Sequence, residues 1–218
     1  MEVFLAAFIT FFVVIDPIGV APIFASLTEG TPAHYRRKMA IRSIGVAAAV
    51  LLGFAFGGEA LLRALHIELY SFSIAGGLML LIIALEMVFE KRTKRRENRV
   101  TDMAFEEGAT PAETAEADLE DISVFPMAIP MVAGPGAIAS IMLLMSRHQG
   151  DFSAQSYVLG AMAANLLACL VLFLGAGVLM RLIGETIAAM ITRVLGVILV
   201  ALAAQLILDG IKSSFGLA

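Results

Sequence analysis

Charge is scarce in this chain. Of its 218 residues only 16% are Asp, Glu, Lys or Arg, 60% are hydrophobic, and the mean hydropathy is +0.91. A soluble domain carries about 25% charge and about 45–50% apolar residues, so a soluble globular class is excluded. Cysteine occurs once, at Cys169 inside an apolar run, which excludes an internal disulfide and a CxxC redox pair. The three histidines, His34, His66 and His148, fall singly at connectors. No pair has metal-ligand spacing, there is no HExxH, and no GxxxxGK[ST] or GxGxxG sits in a phosphate-binding context. With no nucleophile–base pair either, an enzyme is not expected. No cofactor, metal or nucleic-acid partner is expected. The amino terminus lacks a positive region, Glu2 being its only early charge, and its apolar run outlasts a signal core, so the first span is expected to stay in the mature protein.

Six apolar segments remain, at roughly 3–27, 40–64, 70–90, 122–146, 156–180 and 187–211. Each is about 20–25 residues, enough for a helix to cross a hydrocarbon core of about 30 Å. None alternates with period two, so a β-barrel is not expected. The twelve methionines are packing material rather than a metal path. Residues 91–121 interrupt the pattern: six Lys/Arg in KRTKRRENR, then eight Asp/Glu with no base over 102–121. Such blocks mark a solvated linker. The division expected is 1–90, a first three-helix repeat; 91–121, the linker; and 122–218, a second repeat.

Lys and Arg set orientation. The side holding the first, third and fifth connectors carries 12 of them, and the other side 3. The positive-inside rule then puts the linker in the cytoplasm and both termini outside. Three spans per half give the halves opposite orientation. At an offset of 118 residues Pro17 meets Pro135, Gly57 meets Gly175 and Arg63 meets Arg181; one more residue of shift pairs Gly77 with Gly196 and Glu86 with Gln205. The fold class expected is an all-α membrane protein: six transmembrane helices as two inverted three-helix repeats, helices 1 and 4 broken near the midplane.

Inverted-repeat transporters bind substrate at the repeat interface, between discontinuous helices. Here IDPIGVAPIF in the first span and IPMVAGPGAI in the fourth are the matching interrupted segments. Asp16 can cap a new helix with Pro17 in its first position. Pro17 and Pro22 free the carbonyls of Val13 and Ile18; Pro130 and Pro135 free those of Pro126 and Met131. Gly134 and Gly136 let backbone approach a ligand. Open helix starts attract anions and unwound carbonyls attract cations, so two opposed half-helices suit a small zwitterion. A mid-membrane carboxylate defaults to function; a plain helix cap is the alternative. Glu86 snorkels towards Lys91 or Arg92, or it serves the site. Its repeat partner Gln205 lies deeper. Asn165 either bonds a neighbouring helix or lines the pocket. Glu59 and Asp209 read as interfacial, and Arg63 and Arg181 as anchors.

FFVVIDPIGVAPIFASLT (11–28), IAGGLMLLIIALEM (74–87), FPMAIPMVAGPGAIASIMLL (125–144) and RVLGVILVALAAQLILDGIK (193–212) resemble the MarC family of bacterial and archaeal inner-membrane proteins. The resemblance covers nearly the whole chain except the linker. It implies a small neutral amino acid transporter of the superfamily that includes LysE-type exporters, moving glycine, alanine or similar substrates. By motif it carries the site to Asp16, Pro17, Gly19, Pro22, Gly134, Pro135 and Gly136, with Glu86 and Gln205 at the family's polar positions. The function expected is secondary transport by alternating access in the inner membrane. Proton coupling, export and a homo-oligomer are left open, and a channel lined by the broken helices is the alternative. The partners expected are the small zwitterion and the lipid bilayer.

Overall fold

The computed structural model describes residues 1–89 and 121–216. The linker expected at 91–121 therefore lies outside the described residues except for Asp121. Among the described residues the chain is all-helical: α1 Glu2–Ile15, α2 Pro17–Leu27, α3 Ala33–Ala64, α4 Leu69–Val88, α5 Ser123–Val132, α6 Pro135–Arg147, α7 Phe152–Leu174 and α8 Ala176–Ser214. α1 and α2 read together as one 26-residue span, whereas α5 and α6 meet at a bend of 57°.

Two boundaries depart from the apolar pattern. α3 starts at Ala33, with Pro32 extended just before it (φ −60°, ψ 149°). Its 32 residues reach about 48 Å at 1.5 Å each, so the turns bearing Arg36, Arg37 and Lys38 stand clear of the apolar layer. The fifth span ends at Leu174 rather than near 180, and α8 begins directly after Gly175. The connector expected at 181–186 is helical. It contains no proline, and scattered polar residues do not stop a helix whose backbone bonds are intact.

The packing crosses between the halves. α1 and α2 lie against α7, α5 and α6 lie against α3, and α4 pairs along its length with α8. Glycine makes the α4–α8 seam tight. A Cβ on Gly77 would stand 2.7 Å from Ile207 and 3.0 Å from the Ala203 carbonyl, and one on Gly210 would stand 2.9 Å from the Tyr70 carbonyl. Ser73 Oγ adds a bond to the Leu206 carbonyl at 3.1 Å. Close backbone approach of this kind is how membrane helices associate, since lipid is as apolar as leucine. The centre is filled by buried Phe11, Phe24, Leu51, Leu80, Ile141 and Leu199, and Phe24 stacks on Phe173 at 4.6 Å.

Polar contacts gather at the two ends. At one end Arg42 pairs with Asp121, whose Oδ1 accepts from the Ser123 amide at 3.0 Å and also from its hydroxyl. The Ser123 hydroxyl is the main reason the Asp121 carboxyl is held below its ordinary 3.8; burial opposes this, and the Ser123 amide and the charges of Arg42 and Lys38 reinforce it. A depressed folded pKa contributes stability that is complete above the ordinary value and lost as pH falls through the folded one. Asp121→Ala should therefore raise amide exchange at the start of α5 at neutral pH, and wild type should lose the same protection only below pH 3.8. The pair is exposed, so the melting shift should stay within about 2 °C. Equal protection in both proteins at neutral pH would show that the tie has no effect.

Candidate functional site

α1 stops because Pro17 supplies no amide to extend it. The last regular bond runs from the Asp16 amide to the Phe12 carbonyl at 3.0 Å. Asp16 then turns left-handed (φ 53°, ψ 64°), a conformation that aspartate tolerates better than most residues. The same residue starts α2. Its carbonyl accepts from Val20 N at 3.0 Å and its Oδ1 from Gly19 N at 3.1 Å, with Pro17 in the first helical position. The carboxylate is 1% exposed. It lies flat against the turn because residue 19 has no side chain: a Cβ there would be 2.1 Å from Asp16 Oδ2. Thr192 of α8, 7% exposed, brings its hydroxyl to Asp16 Oδ1 at 3.4 Å.

The second break is built differently. Phe125 and Ile129 are extended, and the bonds to Pro126 and Pro130 are cis. α5 is thus a wide, irregular turn, closed by Ala133 N on the Ala128 carbonyl at 2.8 Å. Extended Gly134 (φ −75°, ψ 170°) precedes α6 without offering a side-chain cap, and Pro135 takes the first position. The amides of Gly136 and Ala137 therefore form an uncapped, positive helix start. It is buried, since Ala133, Gly136 and Ala137 are all buried.

The two breaks meet. A Cβ on Gly136 would come 3.1 Å from Val14 Cγ1, 2.9 Å from Leu80 and 3.1 Å from Ile83. Val14 lies just two residues before Asp16. Asp16 and Gly19 of the first break thus adjoin Thr192 of α8, and Gly136 of the second packs on Val14 beside that break; Gly134 is half-buried and Pro135 is exposed. Pro22 is half-buried inside α2, more than a turn further on.

The other expected residues take different places. Glu86 is half-buried on α4, one turn past Ile83. Asn165 is fully buried on α7; its Nδ2 donates to the carbonyls of Phe8 at 3.1 Å and Ala161 at 3.0 Å, while its Oδ1 receives no hydrogen bond. Phe8 is eight residues before Asp16, about 12 Å along the helix, so Asn165 ties α1 to α7 at a different level. Gln205 is exposed and donates to Asp209 at 2.7 Å, which also takes Arg147 at 2.9 Å. A cavity of about 110 Å³ near that same end holds Glu59, Ser146 and Gln155 against Met142 and Met145. It is remote from the breaks.

Spacing did not single out Thr192. It is the one hydroxyl between Ile187 and Val200, but membrane threonines commonly bond within their own helix, so that signal is weak. Buried Ser140, whose hydroxyl has no partner, was missed for the same reason. Among the described residues no three His, Cys, Asp or Glu side chains gather as metal ligands.

Five helices are long and apolar enough to cross a membrane, and six spans result if the bent α5–α6 pair counts as one. This is a multi-pass integral membrane protein. It belongs to the MarC family of integral membrane proteins, whose family model matches residues 1–215. It is similar to the UPF0056 membrane protein MJ1677 of Methanocaldococcus jannaschii, with 32% identity over 98% of each chain. It is also similar to two proteins of Escherichia coli. One is the UPF0056 membrane protein YhcE, 33% identical over 98% of this chain and 94% of that one. The other is the UPF0056 inner membrane protein YhgN, 30% identical over 97% and 98%. No solved structure matches. Family membership points to a transport or permease role in a membrane.

Proposed function

We propose that the chain is a secondary transporter of small neutral amino acids, working by alternating access. The observation that carries this is the buried carboxylate of Asp16 at the first break, with the uncapped start of α6 packed on Val14 two residues before it. A carboxylate acceptor faces an ammonium group; the Gly136 and Ala137 amides face a carboxylate. Both are fixed to backbone rather than to flexible side chains, so the site is preorganised. Ala133, Gly134, Gly136 and Ala137 leave room for a small substituent only, which selects glycine and alanine over larger residues. α1–α2 and α5–α6 each pack on the intact helix of the other half, which fits two inverted repeats sharing one site at their interface. By the Lys/Arg distribution the Arg42 end faces the cytoplasm and the Arg147 end faces outside, in an inner membrane.

The test is counterflow. Purified protein in liposomes preloaded with unlabelled alanine should accumulate labelled alanine and glycine, saturably and transiently. Non-saturable flux without counterflow would replace the carrier with a channel. No movement of any small neutral amino acid, with or without a pH gradient, would overturn the proposal.

A further inference from the structure

α8 reaches the first break through one hydroxyl. The Thr192 Oγ1–Asp16 Oδ1 distance is 3.4 Å, and the same oxygen takes the Gly19 amide at 3.1 Å. α8 is not a lone helix at this point. The interlocking glycines Gly77, Gly196 and Gly210 and the Ser73–Leu206 bond make α4 and α8 one body. What Thr192 senses, that body follows.

A threonine hydroxyl in a helix has a second acceptor within reach, the carbonyl four residues back, here that of Ala188. Thr192 thus has two discrete partners, and its bond to Asp16 Oδ1 is longer than the one the same oxygen takes from the Gly19 amide. An ammonium group arriving at the carboxylate competes for that oxygen, and the longer bond is the one released. We infer that Thr192 is a positioning residue that couples occupancy of Asp16 to movement of the α4–α8 pair. It touches Asp16, not the substrate. The inference rests on Asp16 being the transport site proposed above, but the contact itself can be tested without transport.

Two measurements decide it. The first is a double-mutant cycle on thermal unfolding with Asp16→Ala, Thr192→Val and both together, since asparagine would keep the acceptor oxygen. Valine keeps the shape and removes the hydroxyl. Coupling predicts that the second substitution adds little once the first is made; shifts that simply add would overturn the contact. The second compares alanine affinity, read as ligand-induced thermal stabilisation, with the maximum rate of counterflow. Thr192→Val should leave affinity within about twofold while lowering the rate about tenfold, and Thr192→Ser should restore most of the rate. An unchanged rate in Thr192→Val, affinity lost in step with rate, or no rescue by serine would each overturn the positioning role. If wild type moves no amino acid, the proposed function falls, and the cycle still decides the Asp16–Thr192 tie.

Discussion

Asp16→Asn should abolish alanine counterflow, to below about one hundredth of wild type, while the protein still folds. Asparagine keeps the size of aspartate, tolerates the left-handed turn and caps a helix about as well. Its carbonyl can still accept from Gly19 N, so the break in the first span survives. What disappears is the negative charge, and with it the partner for an ammonium group in a buried site. A hydrogen bond to a charged group contributes about 1.5–3 kcal/mol, and a ligand cation left unpaired in low dielectric adds its own desolvation cost. Together these exceed the roughly 2.7 kcal/mol that a hundredfold loss requires. The melting temperature should fall by only a few degrees. Asp16→Ala separates the roles: it removes charge and cap together, and should melt lower than asparagine by about 1 kcal/mol of stability. Normal transport by Asp16→Asn would reduce the carboxylate to a helix cap.

Local chemistry was legible in the sequence; rotation and long-range contact were not. The cap on α2 follows from aspartate before proline, because both act within one turn. The same holds for Pro135 at the start of α6 and for the break before it. Gln205 was paired with Glu86 by repeat spacing and by the family's polar positions. Spacing fixes position along a helix but not the face, and in the fold Gln205 is exposed and bonded to Asp209, one turn away. Gln205 is therefore turned to Asp209, whereas Glu86 lies one turn past Ile83, which packs on Gly136 of the second break. Thr192 was invisible because its partner lies 176 residues earlier. The starts of α3 and α8 were missed because helices outrun the apolar layer when nothing breaks them. The need for glycine at 19 was half legible: PIG reads as the opening of a helix, but only the packed carboxylate shows why residue 19 lacks a side chain.

That carboxylate sets up the second large effect. Gly19→Ala should eliminate transport and also destabilise the fold. Alanine is the better helix former by about 1 kcal/mol, so on propensity alone the change would help. The added methyl, however, would sit 2.1 Å from Asp16 Oδ2, 2.7 Å from its Cγ and 2.8 Å from Thr192 Oγ1. None of these is the free end of a long side chain. Asp16 is pinned at the turn, and Thr192 is held by α8. Overpacking costs about 1–3 kcal/mol, and the displaced carboxylate loses bonds of about 1.5–3 kcal/mol. The clash therefore wins, with a net loss of about 2–4 kcal/mol after the propensity gain. The transport defect should match that of Asp16→Asn, but the melting curve should not, because asparagine leaves the turn packed. Combining Gly19→Ala with Asp16→Ser shortens the side chain that the methyl strikes. The double variant should recover part of the lost stability and none of the transport. If Gly19→Ala alone folds and transports as wild type does, the carboxylate is not held against the turn, and the proposed site loses its geometry.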